Sequence, residues 1–247
     1  LLGYYDTYKL LDLLEPDDSY PPLVPSVVNY LPGMQPVMYP EGVGGWTFTR
    51  KGAFLFRDIH YGASPVDTVD RPRLHLYFMP KAPERPTREM MLGTNGLSTI
   101  EPPLVIPPGK ITRHKTRYTL PADISVLTIN PHMHLLGKEF WAYALLPDGD
   151  TLPLIRLKQW DFRWQYNYTF PKMLHLPQGT TIEVWGSFDN TADNPNNPFS
   201  PPIEVREPAG NMRSTDEMFQ LIITYLPYQK GDEAIRLKAS SLLAKQP

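Results

Sequence analysis

Proline is spread along the whole of this sequence, and that spread limits the fold more than any other feature. There are 29 prolines among 247 residues, more than twice the average usage of about 5%. They are scattered rather than repeated, which is typical of turns between many short strands and not of a disordered segment. Runs rich in aromatic and β-branched residues predict the strands, among them residues 54–61, 74–79, 126–129, 139–146, 165–170, 180–188 and 217–226.

Short strands at regular spacing, with turn signals between them, predict an all-β chain built as an antiparallel sandwich or jelly roll. Residues 147–150, Pro-Asp-Gly-Asp, predict a hairpin turn. Short helices are expected near the two ends, over residues 6–14 and 231–246. A Pro-rich, charged stretch begins near residue 80 and suggests a boundary between two domains, residues 1–82 and 83–247.

Composition excludes several classes of function. A net charge of −2 and the lack of a basic run give no basis for nucleic-acid binding. No stretch approaches the roughly 18 apolar residues that a membrane span needs. The sequence has no cysteine, so any metal site must use His, Met, carboxylate or carbonyl ligands. There is no nucleophile elbow and no Gly-rich nucleotide loop.

The pair His132 and His134 is the strongest chemical signal. Residues i and i+2 of a strand project from the same face, so the two imidazoles would form half of a metal site. The alternative is a pair of exposed or core histidines. Met218 opens a later apolar run and, taken alone, is more simply a core residue. Beside two imidazoles, however, its thioether would make a soft, neutral site suited to copper, whereas zinc more often takes a third His or a carboxylate.

The other histidines carry less weight. His60 ends a predicted strand at a glycine, and a ligand is about as plausible there as a structural role. Three more, His75, His114 and His175, have no partner at ligand spacing, and we interpret them as structural.

Several motifs in the sequence resemble those of the copper type II, ascorbate-dependent monooxygenases. Residues 130–138, Asn-Pro-His-Met-His-Leu-Leu-Gly-Lys, resemble the family's His-x-His segment. Residues 216–218, Asp-Glu-Met, resemble the motif that supplies its methionine ligand. Weaker similarities lie at residues 39–44, 60–62 and 105–109. They follow the family's order and span most of the chain, and the missing cysteines resemble a bacterial branch.

The resemblance implies two jelly-roll-like β-sandwiches and two coppers. His132, His134 and Met218 would hold the copper that reacts with O₂ and hydroxylates a C–H bond of a small-molecule substrate. His60 would be one ligand of a second copper, which relays electrons from ascorbate or a similar donor. A periplasmic or extracellular location is implied as well. Further protein subunits are compatible with the resemblance as partners.

Two departures from the family leave alternatives open. The relay copper also needs an adjacent His-His pair, which this sequence lacks. We therefore expect an N-terminal part to be missing, which leaves the first sandwich incomplete, or the second copper to be absent. The peptide-hydroxylating members bind a substrate carboxylate with two residues. This chain has Asn130 and Ile222 at the matching positions, so peptidylglycine is not the expected substrate. A non-catalytic binding or structural module is the main alternative, and a zinc-binding sandwich is the third.

Overall fold

The computed structural model describes residues 2–6, 26–28, 30–31, 39–47, 52–56, 61, 64–208 and 213–237. The chain separates into two compact units. Unit 1 comprises Leu1–Tyr30 and Gly42–Pro86, and unit 2 comprises Leu31–Glu41 and Thr87–Pro247. All of the candidate metal ligands except His60 belong to unit 2, and His60 lies outside the described residues.

Unit 1 holds a small antiparallel sheet. Its strands are β1 (Leu2–Asp6), β2 (Ser26–Val28) and β3 (Gly52–Phe56), in the order β2-β1-β3. Asp6, where a helix was predicted to start, instead pairs with Gly52 in this sheet, and residues 7–14 lie outside the described part. The strand predicted over residues 74–79 is wrong. That segment is exposed and joins none of the described strands, and strand-forming residues need a neighbouring strand to pair with.

Unit 2 is built from strands joined by turns and loops. In chain order they are β4 (Arg88–Gly93), β5 (Ile100–Glu101), β6 (Val105–Ile106), β7 (Ile111–Thr119), β8 (Ile124–Met133), β9 (Gly137–Leu145), β10 (Thr151–Leu157), β11 (Tyr168–Leu176), β12 (Thr181–Asp189), β13 (Val205–Arg206) and β14 (Phe219–Pro227). The hairpin predicted at residues 147–150 joins β9 to β10, with Gly149 at φ 95°.

These strands form two antiparallel sheets packed face to face. One has five strands in the order β10-β9-β12-β7-β5, the other has four in the order β11-β8-β14-β4, and β6 and β13 make a separate short pair. Three buried rings join the layers: Phe219 of the four-stranded sheet lies 5.7 Å from Phe140 and 5.9 Å from Phe188, between ring centroids. The predicted all-β sandwich is confirmed.

Alternation along the strands explains this arrangement. In β9 the even residues from Phe140 to Ala144 are buried while their neighbours are only partly covered, as expected of a strand with one face in a core. Strand β8 differs, because nearly all of its residues are buried. Its outer face is therefore covered as well. Part of that cover is the Tyr39 side chain, which hydrogen-bonds Thr128 and Thr224 and whose pKa is raised by burial.

The C-terminal helix predicted over residues 231–246 is wrong for residues 231–237, the part of it that the structure describes. Only one 3₁₀ turn, Asp232–Ala234, forms, and Arg236 then pairs with Lys172 of β11. The backbone N–H of Leu237 donates to Pro171 and that of Met173 donates to Ile235. Because β11 offers these partners, residues 235–237 run beside it in extended conformation, and residues 238–246 lie outside the described part. Within the described ranges, no helix has the length and apolarity required to cross a lipid bilayer.

Candidate metal centre

His132 lies at the end of β8 and His134 directly follows that strand, on the outer side of the four-stranded sheet. Their neighbours in the register, Met133 and Phe219, are paired and fully buried in the core. Since successive side chains of a strand point to opposite faces, His132 and its cross-strand partner Gln220 face outward. The two imidazole rings are 5.1 Å apart between centroids and nearly perpendicular, at 86°. The structure thus brings the predicted pair together.

A glutamine from a distant loop contacts His132. Gln165 Oε1 lies 2.5 Å from Nδ1 of the imidazole. The amide nitrogen of Gln165 donates to the carbonyl oxygen of Phe162 at 2.8 Å, which fixes the amide with its oxygen toward the histidine. An amide oxygen only accepts hydrogen bonds, so the proton of the neutral His132 ring is on Nδ1.

The neutral His134 ring also carries its proton on Nδ1, and here the hydrogen-bond acceptor belongs to the main chain. Its Nδ1 lies 2.9 Å from the carbonyl oxygen of Asp216, which again can only accept. Both neutral rings therefore carry the lone pair on Nε2, the form in which histidine binds a metal. Phe162 packs edge-on against His134, with 5.6 Å between ring centroids.

Met218 lies immediately before β14 and is 2% exposed. Strand β14 pairs with β8 from Phe219 opposite Met133, and continuing that register places Met218 opposite His134. In addition, the backbone N–H groups of His134 and Met218 donate to the same oxygen of Glu217. The backbones of these two predicted ligands are therefore neighbours, and the position of the sulfur beside the imidazoles stays a prediction.

The donors present fit copper. Two neutral imidazoles and a thioether make a soft, uncharged set that favours Cu(I). Over the ranges that the structure covers, no group of three His, Asp or Glu residues could hold a metal ion. The residues that would hold copper are His132, His134 and Met218.

Glu217 organises the backbone of this site. Its buried carboxyl group accepts hydrogen bonds from the backbone N–H groups of His134, of Leu136 at 2.9 Å and of Met218 at 3.0 Å. Burial raises the pKa of Glu217 to about 8, and the three N–H donors act in the opposite direction. One side chain thus ties the turn after β8 to the start of β14, which carry two of the predicted ligands.

Gly137 and Lys138, which end the His-x-His segment, each have a structural role. A Cβ on Gly137 would lie 2.6 Å from Cδ1 of Trp160, and Trp160 donates its ring N–H to the carbonyl oxygen of His134 at 3.0 Å. The ammonium of Lys138 lies 2.7 Å from the carboxylate of Asp189. Gly137 therefore lets the indole approach the backbone of a predicted ligand.

We expect Gly137→Ala to lower the free energy of unfolding by about 1–3 kcal/mol, the usual cost of overpacking. The added methyl group would push Trp160 away and break its hydrogen bond to His134. Urea denaturation measures the loss, and the emission spectrum of the folded protein reports the environment of the indole. A variant within about 0.5 kcal/mol of the parent would show that Trp160 is not held by this contact.

A cavity of about 140 Å³ lies next to residues that contact His134. Trp160 and Phe162, which both contact His134, form its aromatic wall, and Arg163 and Asn196 are polar members of its lining. The guanidinium of Arg163 pairs with Asp161 at 2.8 Å. The cavity is therefore part apolar and part polar, and two of its lining residues contact His134.

The remaining histidines differ in their surroundings. His114 is buried, and its ring nitrogens bond Pro102 and Thr112. Burial lowers its pKa. His175 stacks on Tyr228, with 3.7 Å between ring centroids. His75 is exposed. The contacts of His114 and His175 agree with the structural roles predicted for them.

Sequence reasoning missed three residues that surround the pair, namely Gln165, Trp160 and the carboxylate of Glu217. Only Glu217 had a local signal, its place in the Asp-Glu-Met motif. Comparison of the chain with protein-family models and with curated proteins finds no match.

Proposed function

We propose that unit 2 binds one copper ion through His132, His134 and Met218 and is the oxygen-reacting half of a copper-dependent monooxygenase. The observation that carries the proposal is the common protonation pattern of the two histidines. Gln165 and the Asp216 carbonyl each hold a proton on Nδ1, so both rings have Nε2 as the metal-binding nitrogen.

Bound copper would supply the activation of O₂. The overall reaction consumes one O₂, two electrons and two protons, converts a C–H bond into C–OH and releases one water. Ascorbate or a similar reductant would deliver the electrons. The chain contributes neutral ligands, the buried carboxyl group of Glu217 that holds their backbones together, and the Trp160 and Phe162 side chains, which contact His134.

The substrate is a small molecule, for which the cavity beside His134 is the candidate site. Peptidylglycine is disfavoured by the residues that face outward next to the histidines. Asn130 and Ile222 lie directly opposite each other in the register. The Asn130 amide donates to the carbonyl oxygen of Tyr166 at 2.8 Å, and Ile222 has no polar group. Neither side chain supplies a charged group or a hydroxyl group that could donate a hydrogen bond to a substrate carboxylate.

The test is ascorbate-driven oxygen uptake by copper-loaded protein from which unbound copper has been removed by desalting. We expect about one copper per chain and an oxygen uptake that the double variant His132→Ala, His134→Ala loses together with the metal. A small-molecule library would then be screened for hydroxylated products. Copper binding without any oxygen uptake above that of the double variant would favour the non-catalytic module. A periplasmic or extracellular location belongs to the same proposal.

A further inference from the structure

The two histidines obtain their common protonation pattern in different ways. For His134 the acceptor is the main-chain carbonyl of Asp216, which is present whatever the side chain. For His132 the acceptor is the side chain of Gln165, 33 residues further along the chain. The Nδ1 partner of one predicted ligand is therefore a side chain outside the ligand set, whereas that of the other is the main chain.

The Gln165 amide has one orientation that satisfies both of its contacts. Its NH₂ group donates to the carbonyl of Phe162, and its oxygen then faces His132. In the reversed orientation, NH₂ would face Nδ1 and a carbonyl oxygen would face another oxygen. Gln165 is 2% exposed, so water cannot readily replace either contact.

We infer that Gln165 is a positioning residue that fixes His132 in the form with the proton on Nδ1, so that Nε2 is the metal-binding nitrogen before copper arrives. Partners of this kind orient ligating histidines in metal sites and raise their basicity. The inference rests on the proposed copper site for its purpose, although the proton position itself can be measured without any metal.

The experiment has two arms. In the metal-free protein, ¹⁵N-detected NMR of labelled imidazoles at a pH where the rings are neutral distinguishes a protonated from an unprotonated ring nitrogen, and His132→Ala assigns the signals. Competition with a Cu(I) chelator then measures copper affinity. The variants are Gln165→Leu, which removes the acceptor, and Gln165→Glu, which keeps an oxygen acceptor. The matched control is Gln178→Leu, at an exposed glutamine.

We expect His132 to be protonated on Nδ1 in the parent, in Gln165→Glu and in Gln178→Leu. In Gln165→Leu the proton should redistribute toward Nε2 and Cu(I) affinity should fall about 10- to 100-fold, the usual effect of losing such a partner. The His134 signals should not change, because its acceptor is the main chain, and this also shows that the variant is folded.

A parent protein with the His132 proton on Nε2 would overturn the inference without any variant. An unchanged proton position and copper affinity in Gln165→Leu would overturn it as well. Failure of the proposed function looks different, since the parent would then bind no copper while the NMR signals still responded to Gln165→Leu.

Discussion

Glu217→Ala is expected to lower the free energy of unfolding by about 3–6 kcal/mol, a large part of the roughly 5–15 kcal/mol that is typical of native proteins. The substitution removes the acceptor of three buried backbone N–H groups, those of His134, Leu136 and Met218. Each unsatisfied buried donor costs about 1–3 kcal/mol, and water has little access to a fully buried carboxyl group. Glu217→Gln should cost less, because the amide retains one acceptor oxygen, although its NH₂ group must then face an N–H donor.

Urea denaturation followed by circular dichroism measures these changes. The control is Glu204→Ala, whose side chain is exposed and pairs with the exposed Arg206. Exposed ion pairs contribute about 0–1 kcal/mol, so this variant should resemble the parent. If Glu217→Ala cost no more than Glu204→Ala, the carboxylate would not be what holds the turn after β8 against the start of β14.

Met218→Ile is expected to abolish ascorbate-driven turnover and to weaken Cu(I) binding by about tenfold or more, a factor that corresponds to roughly 1.4 kcal/mol. Isoleucine has a similar volume but no sulfur, so the fold should lose less than about 1.5 kcal/mol. The soft thioether favours Cu(I), and its loss should therefore be felt most in the reduced state. Oxygen uptake and chelator competition give the two readouts.

Met173→Ile is the matched control, since Met173 is also 2% exposed but lies in β11, away from the histidine pair. It should lose a similar amount of stability and keep both copper affinity and oxygen uptake. If Met218→Ile behaved in the same way as Met173→Ile, Met218 would be a core residue, and only the histidine pair would remain of the copper site.

The sequence was most informative where a pattern is local. Alternation and turn residues predicted most of the long strands of unit 2, although β4 lies in the Pro-rich, charged stretch that was interpreted as a domain boundary. The i, i+2 spacing was sufficient to place His132 and His134 together. The predictions that went wrong depended on partners elsewhere. Residues 74–79 have strand-forming side chains but pair with none of the described strands, and residues 235–237 extend along β11 instead of continuing as a helix.

The residues that support the histidines could not be predicted for the same reason. Gln165 reaches His132 from a loop, and its role depends on the Phe162 carbonyl that orients its amide. Trp160 approaches the His134 backbone only because Gly137 has no side chain. Such contacts are created by the fold, and neither spacing nor composition contains them.

The measurement that tests the copper site most directly is X-ray absorption at the copper edge of protein loaded with one Cu(I) per chain. The site described above predicts two imidazole nitrogens and one sulfur around the metal, with the sulfur contribution lost in Met218→Ile and retained in Met173→Ile. A protein that retains no copper after desalting, or a copper surrounded only by nitrogen and oxygen in the parent, would contradict it.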